Sequence, residues 1–170
     1  MSATDDEAEA FRAELVAIIP RLRAFARTLT GDAARADDLA QDTLMKAWAS
    51  RASFTPGTSL PSWTYTIMRN AFLSDARRSW RQQQLDGVHV DNVVGPDDPR
   101  KSLELQEVQR ALQKLSHEHR EALVLIAAAG CSYEEAAEIL GVSEGTVKSR
   151  VSRARDRLER LIDGTDAPRR

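Results

Sequence analysis

Apolar residues recur at three- and four-residue intervals along most of the chain, and strict alternation over a strand length is missing, so the pattern predicts helices. Thr30-Gly31-Asp32 breaks the first long apolar face, and Asp32 is expected to cap the next helix. Pro20 lies inside this face and should kink the helix or split it in two. The face consists of Phe11, Leu15, Ile18, Leu22, Phe25 and Leu29.

Two further helices and a linker follow. The second predicted helix runs from Asp32 to about Ser50, and a loop rich in Pro, Gly, Ser and Thr covers Ser53 to Leu60. A third helix starts near Pro61. Residues 84–101 then contain Gly, Pro and four acids without a helical period, which is typical of a linker between two domains.

The segment after the linker predicts two more helices. The first has a single apolar face, and Ser116 caps the second, which is expected to end at Gly130. The apolar face contains Leu105, Val108, Leu112 and Leu115.

A helix pair with a tight turn occupies residues 131–161. Ser132 and Glu135 fit a capping box at its start, Gly141 ends the short first helix, and Ser143 caps the long second helix. This arrangement is typical of a helix-turn-helix. Residues 147–160 contain six Lys or Arg against two acids, a net charge of +4 in a chain whose total is −2.

Basic and short polar side chains occupy the outer face of the last helix. A solvated basic face would have the same composition. However, several of these residues lie in the first two turns, where a recognition helix meets base edges, and the later arginines suit phosphates. We therefore expect DNA binding through Thr146, Lys148, Ser149, Arg150, Arg153 and Arg157.

The second predicted helix has an excess of acid. Asp38 and Asp42 lie one turn apart with no base between them, an arrangement that costs a few tenths of a kcal/mol in an isolated helix. The residues alone leave two interpretations open, an acidic solvated face or a docking face for a basic partner.

The third predicted helix combines aromatic and basic residues. Residues 67–81 contain four Arg and one acid, a net charge of +3, and Trp63 and Tyr65 precede them. Aromatic rings among arginines suit an unstacked single strand, because the rings stack on bases and the cations bind phosphates. Such rings are more often core residues, so both interpretations stay open.

Composition narrows the class of protein. In 170 residues, 42% are hydrophobic and 5% aromatic, which suits helices packed through Leu, Ala and Val. The lone Cys131 excludes an internal disulfide and fits a reducing cytosol. Because neither a signal peptide nor an apolar stretch of membrane-spanning length is found, we expect a cytoplasmic protein.

Motifs for chemistry are missing from the sequence. It has no Gly-rich phosphate loop and no nucleophile motif, and His117 and His119 lack the neighbours of a metal site. We therefore expect neither an enzyme nor a bound metal or cofactor.

The predicted fold is all-α, with two small helical domains joined by a flexible acidic linker. Residues 1–10 form an acidic tail, 11–83 the first domain, 84–101 the linker, 102–163 the helix-turn-helix domain and 164–170 a second tail.

This order of parts resembles the bacterial extracytoplasmic-function sigma factors over most of the chain. DDLAQDTLMKAW is similar to the family's core-binding segment, SWTYTIMRNAFLSDARR to its promoter-melting helix, and SYEEAAEILGVSEGTVKSRVSRAR to its upstream-element reader. The last segment also resembles the general-stress-response branch. The resemblance implies binding to core RNA polymerase and promoter DNA, with a small anti-sigma factor as a further partner.

The resemblance also implies roles for individual residues. The clamp helices of polymerase would meet Asp38, Leu39, Gln41 and Asp42. The minus-thirty-five reader would include Lys148, Ser149 and Arg150. A base flipped from the minus-ten element would enter the loop from Ser53 to Ser59. Promoter melting as a whole would involve Ser53, Phe54, Trp63, Arg69, Asn70, Arg77 and Arg78.

Two alternatives to a sigma factor remain. A sigma-like mimic would bind an anti-sigma factor and never touch DNA. Such a mimic would not need the basic residues Lys148 and Arg150, which this chain has. A dimeric regulator using only the helix-turn-helix would bind palindromic sites, and it leaves residues 32–81 unexplained.

Overall fold

The computed structural model describes residues 3–86 and 103–164, and within these ranges the chain is helical without strands. A single 3-10 turn, Arg51–Ser53, lies between the third and fourth helices. The all-α prediction is confirmed. The helices are α1 (Ala3–Ala17), α2 (Ile19–Thr30), α3 (Ala33–Ala49), α4 (Leu60–Asp86), α5 (Leu103–Gln113), α6 (His117–Ala127), α7 (Tyr133–Leu140) and α8 (Glu144–Ile162).

Helix boundaries follow the predicted breaks closely, with three differences. Pro20 lies in the first turn of α2 and separates it from α1, so the predicted split is confirmed. The acidic segment expected to be a tail is helical from Ala3 onward, which corrects the prediction for residues 3–10. Helix α4 continues to Asp86 and includes the first three residues of the predicted linker, and α6 ends at Ala127, before Gly130. Residues 87–102 of the linker and 165–170 of the C-terminal tail lie outside the described residues.

The predicted helix caps are present. The Asp32 carboxylate accepts a hydrogen bond from the backbone N–H of Arg35, and Ser116 and Ser143 cap α6 and α8 in the same way. At α7, the Ser132 hydroxyl and the Glu135 carboxylate each accept a hydrogen bond from the other residue's backbone N–H, which completes a capping box. These local bonds fix where each helix begins.

We expect Ser132→Ala to lower the free energy of unfolding by about 1 kcal/mol, because one orphan N–H of α7 loses its acceptor. Urea unfolding followed by circular dichroism measures this change. Ser152→Ala is a suitable control because Ser152 is exposed in the middle of α8. Equal effects of the two substitutions would contradict a capping role.

The two halves of the chain share one hydrophobic core. Helices α1 to α4 form the N-terminal half, and α5 to α8 form the C-terminal half. The larger cluster of buried residues continues from Phe25 and Tyr65 in the first half to Leu125, Ile139 and Val147 in the second. A smaller cluster around Leu15, Ile18, Ala47 and Leu60 belongs to the first half alone.

The halves meet where α2 and α4 pack against α6 and α7. Helix α6 is buried around most of its circumference, since α8 covers its other side. The sequence pattern did not specify this packing of one domain on the other. The packing of the two halves on each other decides which of the predicted functional residues are exposed to solvent.

Candidate polymerase and nucleic-acid interfaces

The acidic surface of α3 is open to solvent. Asp38, Gln41 and Asp42 are all exposed, and neither aspartate has an ion-pair partner among the residues that the structure describes. By contrast, the neighbouring Asp37 pairs with Arg23 at 2.7 Å. We call Asp38, Gln41 and Asp42 the acidic face of α3. Its uncompensated charge is suited to a basic partner.

Leu39 does not belong to this face. Leu39 is 7% exposed and packs in the larger core, on the inner side of α3, so it does not share the exposed surface of the three polar residues.

An apolar residue that sequence reasoning missed lies beside the acidic face. Met45 is 63% exposed, one turn beyond Gln41 and Asp42, and Trp48 follows one turn later. An exposed apolar side chain with a polar rim is typical of a protein-binding surface. The sequence did contain a sign of this surface, because Met45 is strongly apolar and yet falls outside the inner stripe of α3.

Helix α8 presents a polar and basic surface because its apolar stripe is turned inward. Val147, Val151 and Ala154 are buried against the C-terminal half, so Ser149 and Arg153 project into solvent. Lys148 is exposed as well, near the ring of Tyr133, and Glu144 raises its pKa by accepting a hydrogen bond from the ammonium group. The first turns of α8 therefore offer both charged and neutral hydrogen-bond donors to solvent.

The other predicted DNA-binding residues of α8 are partly covered. The Arg150 side chain is 18% exposed, and its Nη2 lies 3.3 Å from the Glu118 carboxylate on α6. Thr146 shares a hydrogen bond with the Ser143 hydroxyl at the helix cap, and Arg157 is half-buried. In this arrangement, Arg150 can contact a base only after its contact with Glu118 is broken.

Two of the predicted melting residues are packed into the smaller core. The rings of Phe54 and Trp63 lie 5.4 Å apart, and both contact Phe11 of α1 at 5.7 and 6.3 Å. Tyr65 is fully buried, with an edge-to-face contact to Phe25. For Trp63 and Tyr65, the core interpretation left open by the sequence applies in this structure.

The polar and basic residues of α4 point in two directions. Asn70 and Arg77 are exposed two turns apart on the same face, and Arg78 is exposed beside Asp75, with which it pairs at 2.8 Å. Arg69 instead has a side chain that is 20% exposed and faces the C-terminal half. Ser53, at the start of the preceding loop, is exposed and donates a hydrogen bond to the Ser50 carbonyl.

The described residues contain no group of His, Cys, Asp and Glu side chains able to hold a metal ion. Burial raises the pKa of the Cys131 thiol to about 12, so little thiolate forms near neutral pH and the thiol is unreactive there. No described helix is both long and apolar enough to cross a bilayer.

Comparison with known proteins identifies both halves. Residues 16–82 match Sigma-70 region 2, and residues 105–158 match Sigma-70, region 4. The ECF RNA polymerase sigma factor EcfG of Rhodopseudomonas palustris is 45% identical over 161 residues, which cover 93% of this chain and 89% of that protein. The chain therefore belongs to the extracytoplasmic-function (ECF) family of RNA polymerase sigma factors, and within it to the EcfG type.

Solved structures agree with this assignment. A chain in the co-crystal structure of the sigma factor RpoE with the anti-sigma factor NepR, from Bartonella quintana, is 48% identical and has a TM-score of 0.82. That match covers 91% of this chain and 98% of the other. A chain in the complex of the anti-anti-sigma factor PhyR with NepR, also from Bartonella quintana, is 20% identical with a TM-score of 0.58, covers 89% of this chain and 50% of the other, and shows the shared fold alone.

These relationships decide between the alternatives. A regulator with only a helix-turn-helix would not match region 2 across residues 16–82. The relatives that are 45% and 48% identical to this chain are sigma factors, not mimics. The protein is an alternative sigma factor, a transcription regulator that binds core RNA polymerase and directs it to promoters.

Proposed function

We propose that this sigma factor divides its work among three surfaces, with the acidic face of α3 binding polymerase, α4 and the preceding loop opening the promoter, and α8 reading the upstream element. The observation that supports this division most is the opposite charge of the exposed surfaces on α3 and α8. One chain thus presents an acidic surface to a protein and a basic surface to DNA.

The acidic face of α3 has the composition of a protein interface. Met45 supplies exposed apolar surface for a hot spot, and Asp38 and Asp42 supply charges that steer a basic partner and fix its register. Because neither aspartate has an ion-pair partner within the described ranges, binding there need not break an existing ion pair. In this proposal Gln41 adds a neutral hydrogen-bonding group and Leu39 supports the face from the core.

Helix α8 is proposed to lie in the major groove at the minus-thirty-five element. Its first turns present Lys148 and Ser149 to base edges, and Arg153 lies one turn further on, within reach of phosphates. Arg150 is held in place by Glu118, and it would become a base contact when a guanine replaces that carboxylate.

We expect Arg150→Ala to cost roughly 1–3 kcal/mol in promoter affinity and to relax the preference at one base position. Arg153→Ala should weaken binding evenly across sequences, because phosphates are the same at every position. Binding to a library of upstream elements separates these outcomes. If both variants gave the same sequence profile, the division into base and phosphate contacts would be wrong.

Promoter opening is proposed to use the exposed face of α4 together with the loop before it. Asn70, Arg77 and Arg78 form a polar and cationic surface in solvent, as a separated strand requires. In this proposal Ser53 contributes from the loop, Arg69 joins the surface from its present partly covered position, and Phe54 and Trp63 form the floor beneath it.

The relative from Bartonella quintana was crystallised with the anti-sigma factor NepR, and we infer that a small anti-sigma factor of this kind binds the present chain in the cytoplasm during a general stress response. Such a factor should prevent the purified chain from joining core polymerase in a competition experiment. Simultaneous binding of both would contradict this inference.

A further inference from the structure

The N-terminal helix completes an aromatic cluster beside the loop that precedes α4. The ring of Phe11, on α1, lies 6.2 Å from the ring of Trp48 at the end of α3. It also lies 5.7 Å from the ring of Phe54 in the loop and 6.3 Å from that of Trp63 on α4. Phe11 is therefore the residue through which α1 contacts three different elements of the first half.

Helix α1 is held in place at its C-terminal end. Leu15 and Ile18 are 6% and 7% exposed and belong to the smaller cluster of buried residues. Phe11 lies one turn before Leu15 on the same face of the helix, so it extends this buried stripe toward the loop. The Sigma-70 region 2 match begins at residue 16, and Phe11 lies outside it. The contact between Phe11 and the loop is thus an addition to the matched segment.

The loop is anchored at its two ends. Residues 55–58 are exposed, whereas Phe54 and Ser59 are half-buried. The Ser59 hydroxyl oxygen accepts a hydrogen bond from the backbone N–H of Ser62, in the first turn of α4. At the other end, the ring of Phe54 packs between those of Phe11 and Trp63. The position of the first half of the loop therefore depends on this aromatic packing.

A fixed loop conformation favours the capture of an unstacked base. A base that leaves the duplex loses its stacking and pairing, which costs free energy before any protein contact forms. If the loop also had to be ordered at that moment, the lost conformational entropy would add to this cost. Packing that orders the loop beforehand removes the second cost.

We propose that Phe11 is a positioning residue for promoter opening, which holds Phe54 and Trp63 so that residues 53–59 keep the conformation that receives a base from the minus-ten element. Phe11 acts through these two rings and does not itself contact DNA. This role rests on the proposed function of the loop. The packing of Phe11 against the loop is independent of that function.

Trypsin cleavage after Arg51 measures this packing without polymerase or DNA. Arg51 begins the 3-10 turn before the loop, and its guanidinium lies 4.7 Å from the centre of the Trp48 ring. We expect Phe11→Ala to accelerate this cleavage about tenfold, because aromatic contacts are lost and local opening sets the cleavage rate. Cleavage after Arg155, an exposed residue of α8, should keep its wild-type rate. An unchanged rate at Arg51, or the same acceleration at Arg155, would overturn the packing role.

Abasic templates test positioning in reconstituted holoenzyme. Each template of a set lacks one base in one strand of the minus-ten element. On the intact template, Phe11→Ala should reduce open complexes about fivefold, since the loop must then be ordered during capture. On the template that lacks the captured base, the wild-type protein should fall to the level of the variant, because no base remains for the loop to hold.

Two further variants serve as controls. Phe11→Tyr keeps the aromatic ring and should behave as wild type in both experiments. Val16→Ala shortens an apolar side chain of α1 that is 56% exposed, and it should match wild type on every template.

The set of templates separates failure of the positioning role from failure of the proposed function. An equal loss by Phe11→Ala on every template, abasic ones included, would overturn the positioning role. If wild-type opening were the same on the intact template and on all abasic templates, the loop would capture no base. That result would contradict the proposed function of the loop and the positioning role with it, while faster cleavage after Arg51 would still support the packing.

Discussion

Reversing Asp38 and Asp42 to Lys is expected to weaken the affinity for core RNA polymerase about 100-fold or more, the largest effect of any surface substitution in this protein. Each reversal replaces an attraction with a repulsion at the same contact, and each is expected to cost a few kcal/mol. Titration of fluorescently labelled chain with core polymerase measures the loss.

The fold should survive this double reversal. Both side chains are exposed, and the variant exchanges one like-charged pair for another, so the helix content of α3 should hardly change. Glu134 and Glu138 form a matched control, because they are exposed acids one turn apart on α7. Reversing them should preserve core binding. Retained affinity after reversal of Asp38 and Asp42 would place the polymerase contact elsewhere.

The second large effect concerns promoter opening. We expect Asn70→Ala and Arg77→Ala together to leave polymerase binding intact and to reduce open complexes about tenfold, because separated bases lose a surface that replaces their stacking and pairing. Permanganate footprinting on a matched template measures open complexes. Arg35→Ala, which removes an exposed cation from α3, should leave footprinting unchanged.

A template already mismatched at its minus-ten region separates melting from other roles. The cost of unpairing has been removed there, so the double variant should form open complexes as well as wild type. Equal loss on matched and mismatched templates would mean that Asn70 and Arg77 serve the fold or polymerase binding.

The helices and their ends were predictable because their signals are local. The caps at Asp32 and Ser132 bond to backbone groups three residues away, and Pro20 fixes its own backbone angle. Such features depend on neighbours within one turn. The predicted acidic tail was the exception, since residues 3–10 form the first part of α1 despite a composition that favours a solvated segment.

The orientation of individual basic residues was not predictable in the same way. Arg69 and Arg150 look alike in sequence to Arg77 and Arg153, yet the first two are held by glutamates of α6 and the last two are exposed. The difference arises only when α4 and α8 pack around α6. Leu39 lies in the buried stripe of α3, one helix position from the acidic face.

The most direct test of the assignment is transcription from purified components. Core polymerase, the full chain and a panel of promoters should together give transcripts that start at a fixed position and depend on the added chain. The double reversal of Asp38 and Asp42 should remove these transcripts. If the wild-type chain bound core polymerase yet initiated from no promoter in the panel, or bound only an anti-sigma factor, its role as a promoter-specific initiation factor would be contradicted.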